Sequence, residues 1–388
     1  MKLFDAVIIG AGLAGLQCAR LLAARGRKVL LVDRKEDLRR NVHTTGIFVR
    51  KTLEDFAFPA GTLGPPIRKV RLFSPRLKAI DLVSERDEFR VGKMGALYDA
   101  MRRECTERGV EFAAGTRYVS AAPASNAAHS LVRLEKNGLA STVETRVLIG
   151  ADGARSRVAR DLGLDENREW IVGCEEVYRT AGAAREPRLY CFLDAQLAPG
   201  YLAWIANDGE EIHVGVGGYA AHFNARAALK SFKDKTSGLF DAQTAALVEK
   251  RGGLIPVGGV LGRIGCERGL LIGDAAGAVS PLTAGGLDPA LRLSRLAAEI
   301  VGERLGRDEP ELLLRYSGEL FRARFVSRLW MRRLIKSATS NALLETGFAL
   351  LRSGPGRRFA RHVFFGRGSF PDVEPGGVFW RDCRKSEI

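Results

Sequence analysis

A glycine-rich segment near the N-terminus has the residue types and spacing needed to bind the pyrophosphate of a dinucleotide. Gly10-Ala11-Gly12-Leu13-Ala14-Gly15 follows the apolar run Ala6 to Gly10 and precedes a helical pattern from Leu16 to Arg25. In such a motif the first glycine permits the turn off the strand. The second lets the backbone approach a phosphate, and the third lets the helix pack closely on the strands. The helix N-terminus then offers free N–H groups and a partial positive charge to the phosphates.

An acidic residue stands where the ribose of such a ligand would need it. A second strand pattern, Lys28 to Val32, ends at Asp33, 18 residues after Gly15. We expect the Asp33 carboxylate to accept hydrogen bonds from ribose hydroxyls, and Arg34 either to stack on adenine or to lie on the surface. Because strand, glycine turn, helix, second strand and acid occur in this order, the sequence predicts a dinucleotide-binding unit.

A second segment, Val147 to Val158, places an aspartate and a glycine directly after a strand pattern. The apolar run ends in Gly150-Ala151-Asp152-Gly153 and continues into a basic helix start. We expect Asp152 and Gly153 to lie beside the cofactor pyrophosphate; the alternative is that Asp152 caps the following helix.

A third segment favours FAD over NAD as the dinucleotide. A strand pattern from Gly269 ends in Gly273-Asp274, and a link containing Pro281 leads to Gly285, Gly286 and Leu287, where a helical pattern to Leu305 begins. We expect Asp274 to bind ribityl hydroxyls. The two glycines at the helix N-terminus would place N–H groups beside the flavin, whose anionic reduced form a positive helix end stabilises.

Together, the Gly10 to Gly15 motif, Asp152-Gly153 and Gly273-Asp274 resemble the FAD-binding set of the para-hydroxybenzoate hydroxylase-type flavoproteins. Within that superfamily, the segment GDAAGAVSPLTAGGLDPAL is most similar to the geranylgeranyl reductase branch, whose pattern there is GDAAG…PLTGGGI…AL. The resemblance covers about residues 1–305. It implies an FAD enzyme in which Lys93 takes the place of a family arginine that opens a helix and reaches the pyrophosphate; the alternative is that Lys93 is a solvated surface residue.

Two segments depart from the pattern of the reductase branch. Where the branch has Cys-Gly-Gly near the flavin, this chain has His43-Thr44-Thr45-Gly46-Ile47. Where the branch has P-G-x-Y-x-W-x-F-P, this chain has PGYLAWIAN, which keeps Pro, Gly and Trp204, shifts the tyrosine by one position and lacks Phe-Pro. We expect Gly46 and Trp204 to line the substrate pocket, although Trp204 is also compatible with an ordinary sheet core. The candidates by residue type for the catalytic acid are His43, Tyr201 and Tyr219.

The elements around these motifs predict an α/β protein with a Rossmann-like FAD-binding domain, an inserted antiparallel-sheet substrate domain and a helical C-terminal region. Strand patterns occur at Tyr190 to Leu193, Tyr201 to Ala206 and Ile212 to Tyr219, with Asn207-Asp208-Gly209 as a turn. The predicted FAD-binding domain comprises 1–50, 91–165 and 260–305. The substrate domain comprises 51–90 and 166–259, and the basic helical region comprises 306–388.

Composition excludes several classes of protein. With 388 residues, 46% hydrophobic and 27% charged, the chain is typical of a globular protein and long enough for more than one domain. The six cysteines are far apart and form no Cys-x-x-Cys pair, which predicts free thiols and neither a disulfide framework nor a zinc ribbon. No metal site and no transmembrane segment are expected, and the predicted localisation is cytoplasmic.

The basic residues are concentrated at the C-terminal end. Residues 321–388 contain fourteen Lys and Arg and five Asp and Glu, so this segment carries +9 of the net charge of +15. The stretch Phe321 to Lys336 is compatible with a helix on anionic lipid or with a solvated helix, so peripheral membrane contact is one expectation. An RNA-binding module would need strands that carry a basic patch interleaved with stacking aromatics, and the sequence shows no such strands, which argues against a nucleic-acid partner.

The resemblance implies an oxidoreductase in which NAD(P)H passes a hydride through FAD to an apolar, isoprenoid-like substrate. No second dinucleotide fingerprint occurs, so NAD(P)H would bind transiently. Two alternatives share the same cofactor motifs. One is a monooxygenase that hydroxylates an aromatic or polyketide-like substrate. The other is an electron-relay flavoprotein docked on a membrane or protein partner. A halogenase is disfavoured because the W-x-W-x-I-P element is missing.

Overall fold

The structure, a computed structural model that describes residues 1–179 and 186–366, is built on a large sheet whose strands end in the glycine-rich turns. The first half of the chain contains β1 (Leu3–Ile9), α1 (Leu13–Ala23), β2 (Val29–Val32), β3 (Ile47–Val49), α2 (Arg50–Asp55), β4 (Leu63–Ile67), β5 (Lys69–Phe73), β6 (Ala79–Val83), β7 (Phe89–Gly92), α3 (Met94–Glu107), β8 (Glu111–Ala113), β9 (Arg117–Pro123), β10 (Ser130–Lys136), β11 (Leu139–Gly150) and α4 (Arg157–Asp161).

The second half begins with strands and ends with helices. It contains β12 (Trp170–Arg179), β13 (Arg188–Phe192), β14 (Ala203–Asn207), β15 (Glu211–Gly218), α5 (Ala225–Lys235), β16 (Ala246–Pro256), β17 (Gly265–Cys266), β18 (Gly269–Leu271), α6 (Leu287–Arg307), α7 (Glu319–Ser337), α8 (Asn341–Leu351) and α9 (Gly354–Phe365). Short 3₁₀ turns occupy Ala220–His222, Gly273–Ala276 and Pro310–Arg315.

The first sheet brings the ends of its central strands to one edge. Its order is β17-β18-β11-β1-β2-β8, and β9 and β10 extend it from β11. Strand β1 pairs in parallel with both β11 and β2, so that Ile9 lies opposite Gly150 on one side and Val32 on the other. Strand β18 continues the parallel set, with Leu271 opposite Gly150. Because carboxyl ends of parallel strands meet at one edge, the loops after β1, β2, β11 and β18 converge there.

The predicted fold class is confirmed. Helices α3 and α6 pack on α1 over the buried first sheet, as expected for a Rossmann-like unit whose strands are apolar on both faces. The second sheet has the order β16-β12-β15-β14-β13-β5-β6 and is antiparallel except where β13 meets β5. All of its strands come from the stretches predicted for the substrate domain. Strands β3, β7 and β4 form a small third sheet.

The C-terminal helices α8 and α9 pack against apolar side chains of the sheets. Phe348 of α8 and Ala360 of α9 share one apolar cluster with Ile67 and Leu189. Among the helices in residues 1–179 and 186–366, none is long and apolar enough to cross a membrane. The glycine- and proline-rich tail beyond 366 lies outside the described residues.

Candidate active site

A cavity of 1640 Å³ connects the glycine-rich turns with the second sheet and the C-terminal helices. Its walls are the loops after β1, β2, β11 and β18, the inner faces of β12, β13, β14 and β16, and the facing sides of α7, α8 and α9. Pockets for one small ligand usually measure on the order of 300–1,000 Å³. The cavity is therefore large enough for a cofactor and a second ligand.

The turn after β1 forms a cradle for a pyrophosphate. Gly10 has φ +106°, and a Cβ at Gly15 would lie 1.9 Å from the Gly10 carbonyl oxygen, so both positions require glycine. A Cβ at Gly12 would meet nothing within 4 Å, because this residue faces the cavity. Helix α1 has no side-chain cap at its N-terminus, and Gly12, Leu13 and Ala14 line the cavity. The exposed N–H groups and the helix dipole fit the diphosphate of a dinucleotide.

Two of the carboxylates that line the cavity, Asp33 and Asp274, differ in their hydrogen-bond partners. Asp33 accepts hydrogen bonds from the backbone N–H groups of Ala11 (2.7 Å) and Lys35 (2.8 Å), which hold its carboxylate beside the glycine turn. Asp274 lines the cavity, and no described residue donates a hydrogen bond to its carboxylate. Burial raises the pKa of Asp274 to about 6. A buried acid without donors is what a ligand with hydroxyl groups would satisfy, and the ribityl chain of FAD is such a ligand.

The predicted helix N-terminus also lies on the cavity wall. Gly285, Gly286 and Leu287 line the cavity, and α6 starts at Leu287 with no side-chain cap. Its partial positive charge therefore points toward the cavity, where it can stabilise an anionic ring edge. Gly273 also lines the cavity, and a Cβ there would lie 2.8 Å from Ala14 at the start of α1.

Asp152 caps a helix and also lies on the cavity wall. Its carboxylate accepts hydrogen bonds from Ser156 Oγ (2.6 Å) and from the backbone N–H of Arg157 (2.7 Å), so it caps the start of α4. Asp152 and Gly153 nevertheless lie on the cavity wall. The turn is tied to the one after β18 by Asn167, whose side-chain amide donates to the Ala154 carbonyl (3.1 Å) and the Asp274 carbonyl (2.8 Å). Sequence reasoning missed Asn167.

Two predicted cofactor residues do not lie on the cavity wall, contrary to expectation. Lys93 instead forms an exposed ion pair, in which its Nζ lies 2.7 Å from Glu210 Oε2. Pro281 is buried and is not part of the wall, although its neighbours Leu282 and Thr283 line the cavity. Arg34, predicted to stack on adenine or to lie on the surface, is exposed and lines the cavity.

Of the three candidate acids, two reach the cavity. His43 is exposed at the wall, its Nδ1 lies 3.0 Å from a backbone carbonyl oxygen of β16, and burial of part of the ring lowers its pKa. Tyr201 lines the cavity and donates its hydroxyl to the Thr283 carbonyl (2.7 Å), while burial raises its pKa. Tyr219, contrary to expectation, does not line the cavity, and its hydroxyl donates to Glu169 (2.7 Å).

Trp204 and Gly46 lie on the cavity wall, beside an acid that the sequence did not reveal. The Trp204 Nε1–H donates to Glu175 Oε2 (2.8 Å), and the Thr45 hydroxyl donates to the same oxygen. A Cβ at Gly215 would lie 2.3 Å from the Trp204 ring, so this glycine on β15 makes room for the indole. Glu175 is only 3% exposed, yet it lines the cavity.

Glu175 belongs to a buried charge cluster. Its Oε1 lies 3.4 Å from His213 Nδ1 and 3.4 Å from Arg251 Nη1, and Asp208 lies 3.6 Å from the other side of the imidazole. Burial opposes ionisation of Glu175, but His213 and Arg251 hold its pKa below the ordinary value. Burial likewise opposes charging of His213, but Asp208 and Glu175 raise its pKa to about 9. The cluster therefore keeps both signs of charge behind the cavity wall near neutral pH.

The far end of the cavity is apolar. It is lined by side chains of the second sheet and of the three C-terminal helices, namely Leu72, Leu189, Cys191, Leu193, Leu202, Met331, Ile335, Leu344, Phe348, Leu351, Val363 and Phe364. The cavity thus has a polar end built from glycine turns and an apolar end under a helical roof.

Comparison with known proteins shows which families this chain resembles. A family model described as pyridine nucleotide-disulphide oxidoreductase matches residues 4–169, which hold the first two glycine turns. The chain is 30% identical over 322 residues to the menaquinone reductase of Mycolicibacterium smegmatis, with 76% of each chain covered. It is 24% identical over 326 residues to the digeranylgeranylglycerophospholipid reductase of Methanocella arvoryzae, with 82% of each chain covered.

A solved structure shares the fold over nearly its whole length. The geranylgeranyl bacteriochlorophyll reductase-like protein of Thermoplasma acidophilum has a TM-score of 0.80 at 19% sequence identity, covering 95% of this chain and 98% of that one. Because the match extends past the glycine turns, the second sheet and the C-terminal helices belong to the same fold.

Proposed function

The chain belongs to the geranylgeranyl reductase family of FAD-dependent oxidoreductases, and we propose that it reduces a double bond of an apolar, isoprenoid-like chain with electrons from NAD(P)H. FAD is its cofactor, and when bound it supplies two-electron hydride transfer. The relatives act, by their names, on digeranylgeranylglycerophospholipid and on menaquinone. Both compounds carry polyprenyl chains, which supports a lipid chain as substrate here.

The polar end of the cavity supports the placement of FAD. We assign the N-terminus of α1 to the pyrophosphate, Asp33 to the ribose and Asp274 to the ribityl hydroxyls. The N-terminus of α6 would stabilise negative charge on the ring system. Asn167 positions Asp274 by holding its backbone carbonyl, and Asp152 keeps the neighbouring turn in place by capping α4.

The observation that carries the proposal is the apolar extension of the cavity beyond these groups. Leucine, methionine and phenylalanine side chains from two sheet strands and three helices enclose it, and they exclude water from a long hydrocarbon chain. The main polar side chains on the cavity wall outside the glycine turns already have partners within the protein. Glu175, Thr45 and Trp204 satisfy one another. Arg50 pairs with Glu88 (3.0 Å), and Arg328 donates to Ser280 Oγ (3.1 Å). A strongly polar substrate would find few partners there.

The test measures reduction of a series of prenyl substrates of increasing length in detergent, with FAD-loaded protein and NADPH. Ala338→Trp places an indole in the cavity at the end of α7, whereas Ala342→Trp adds the same group at an exposed position of α8 outside the cavity wall. We expect A338W to lose activity on the longest substrates first and to keep its FAD. A342W should behave like the wild type.

Two results would count against the proposal. Equal activity of A338W and A342W on every chain length would mean that the substrate does not occupy the apolar end. Oxygen consumption coupled to a hydroxylated product would instead identify a monooxygenase.

A further inference from the structure

The cavity opens to solvent in two places of opposite character. At the polar end, the exposed residues on its wall include Arg34, Arg155 and Arg157. At the other end, the residues that both line the cavity and are exposed are mainly apolar. The apolar ones are Leu334 of α7 (68% exposed), Leu343 and Leu350 of α8 (55% and 71%) and Phe359 of α9 (50%), and the others are Ser337, Thr346 and Gly347. We call the four apolar residues the apolar rim.

Helix α8 is apolar over most of its surface, and its polar side chains are Asn341 at its first position, Glu345 and the exposed Thr346. Its sequence, NALLETGFALL, contains one charged residue, Glu345, which accepts a hydrogen bond from the backbone N–H of Arg76 (2.6 Å) and so faces the second sheet. Leu344, Phe348 and Leu351 face the cavity, which leaves the rim leucines on the outer side. A helix that is apolar on its inner side and carries exposed leucines on its outer side is normally covered there too, by protein or by lipid.

Basic residues surround the apolar rim. Residues 330–366 contain seven Lys and Arg and one acid, Glu345. Arg333 follows Trp330 on α7, Arg352 ends α8, and Arg357, Arg358 and Arg361 lie on α9; all of these arginines are exposed. A second copy of the chain would bring the same positive charge against this face, whereas an anionic surface complements it. Apolar side chains bordered by arginine are typical of elements that lie in a membrane interface.

We propose that α7, α8 and α9 dock the apolar rim on an anionic lipid bilayer, so that the cavity opens directly into the hydrocarbon region. The inference rests on the proposed function in that the bilayer holds the isoprenoid-like substrate. The rim leucines and Phe359 insert among the acyl chains, and the arginines contact the headgroup phosphates. A lipid chain then enters the cavity without crossing water, which would otherwise oppose its transfer.

The first experiment measures co-sedimentation of FAD-loaded full-length protein with vesicles of neutral phosphatidylcholine, with and without anionic phosphatidylglycerol. We expect binding that requires the anionic lipid and weakens at high salt. The double variant L334S/L350S removes two inserted side chains and should bind at least about tenfold more weakly. The matched control is L139S, which replaces a leucine that is 77% exposed at the start of β11, and it should bind like the wild type.

The second variant pair tests the charge. R357Q/R358Q should weaken binding to anionic vesicles by roughly tenfold or more and leave the weak binding to neutral vesicles unchanged. R133Q/K136Q removes two exposed basic residues of β10 and should have no effect. Fluorescence of Trp330, which is 59% exposed on α7, should be quenched by brominated acyl chains, and W330F should lose that quenching.

Vesicle binding needs no turnover, so its outcome separates from that of the reductase assay. Absence of wild-type binding to anionic vesicles would overturn the docking proposal. So would a dimer in sedimentation velocity that L334S/L350S dissociates while vesicles stay unbound, because the rim would then be a contact between copies. Failure to reduce any prenyl substrate in detergent would overturn the proposed function alone. R357Q/R358Q lies outside the cavity wall and should keep wild-type activity in detergent.

Discussion

The uncompensated carboxylate of Asp274 makes FAD affinity depend on pH. Burial raises its pKa to about 6 in the FAD-free protein, and no described residue donates to it. Ribityl hydroxyls donate stronger hydrogen bonds to the ionised carboxylate than to the neutral acid, so FAD binding favours loss of the proton from Asp274 below pH 6. We therefore expect wild-type affinity to be constant above about pH 7 and to fall about tenfold by about pH 5.

Asp274→Asn removes this titration. An asparagine cannot replace a charged acceptor of two hydroxyl groups, and hydrogen bonds to charged groups contribute about 1.5–3 kcal/mol each. FAD affinity of D274N should drop by at least about tenfold at pH 7 and should not decline further toward pH 5.

In the FAD-free protein, a rise in pH should lower the stability of the fold, whereas it raises the affinity for FAD. Because the folded-state pKa of Asp274 lies above its ordinary value of 3.8, its contribution to stability is fully present at low pH and is lost as the pH rises through about 6. The change corresponds to about 2–3 kcal/mol above that pH, allowing for the contact of the carboxylate with the cavity. FAD-free D274N should therefore unfold at a higher temperature than the wild type at pH 8, and the difference should vanish near pH 4.

The assay is a calorimetric titration of FAD-free protein with FAD at several pH values, paired with thermal unfolding. Other acids in the cradle, including Asp33 and Asp152, contribute equally to wild type and variant, so the difference between them isolates Asp274. A wild-type affinity that is flat from pH 8 to pH 5, or a D274N protein with the same decline, would refute the role assigned to this carboxylate.

Three further predictions follow from the geometry of the site. Gly15→Ala, whose Cβ would lie 1.9 Å from the Gly10 carbonyl, should lower the unfolding temperature of the FAD-free protein, whereas Gly12→Ala should leave it unchanged and weaken only FAD binding; equal unfolding temperatures would contradict the cradle. Lys93→Met should alter the FAD dissociation constant, measured by flavin fluorescence, by less than about threefold. A larger loss of FAD affinity would show that Lys93 contacts the pyrophosphate after all. Glu175→Gln removes the buried carboxylate between His213 and Arg251, which then keep only Asp208 and Glu249 as acidic partners, and should destabilise the protein by about 2–3 kcal/mol in urea unfolding at pH 7; a change below about 0.5 kcal/mol would show that the cluster is not coupled.

The parts of the site that lie within one contiguous motif could be predicted from the sequence. Gly10, Gly12 and Asp33 are placed by a strand, a turn and a helix that follow one another directly, so local patterning determines their positions. The same holds for Asp274, in the 3₁₀ turn that follows β18, and for Gly286 before α6. The fold class followed from the same motifs together with the alternating strands of the second sheet.

The parts that depend on contacts between distant segments could not be predicted. Lys93 has the residue type to bind a phosphate, but Glu210, more than a hundred residues away, lies within reach of its ammonium. Glu175, His213 and Arg251 lie on three different strands, and only the register between β12, β15 and β16 brings them together. The sequence also did not predict that α7, α8 and α9 cover the cavity, because the helical pattern after residue 305 does not show what its apolar side chains contact.

The most direct test of the central claim is a single-turnover reaction without oxygen. The FAD-loaded protein is reduced, mixed with one equivalent of a geranylgeranyl lipid in detergent, and followed by flavin absorbance and product mass. The account predicts reoxidation of the flavin in step with a product that has gained two hydrogen atoms. A flavin that stays reduced until oxygen is admitted, with a product that then gains one oxygen atom, would contradict it.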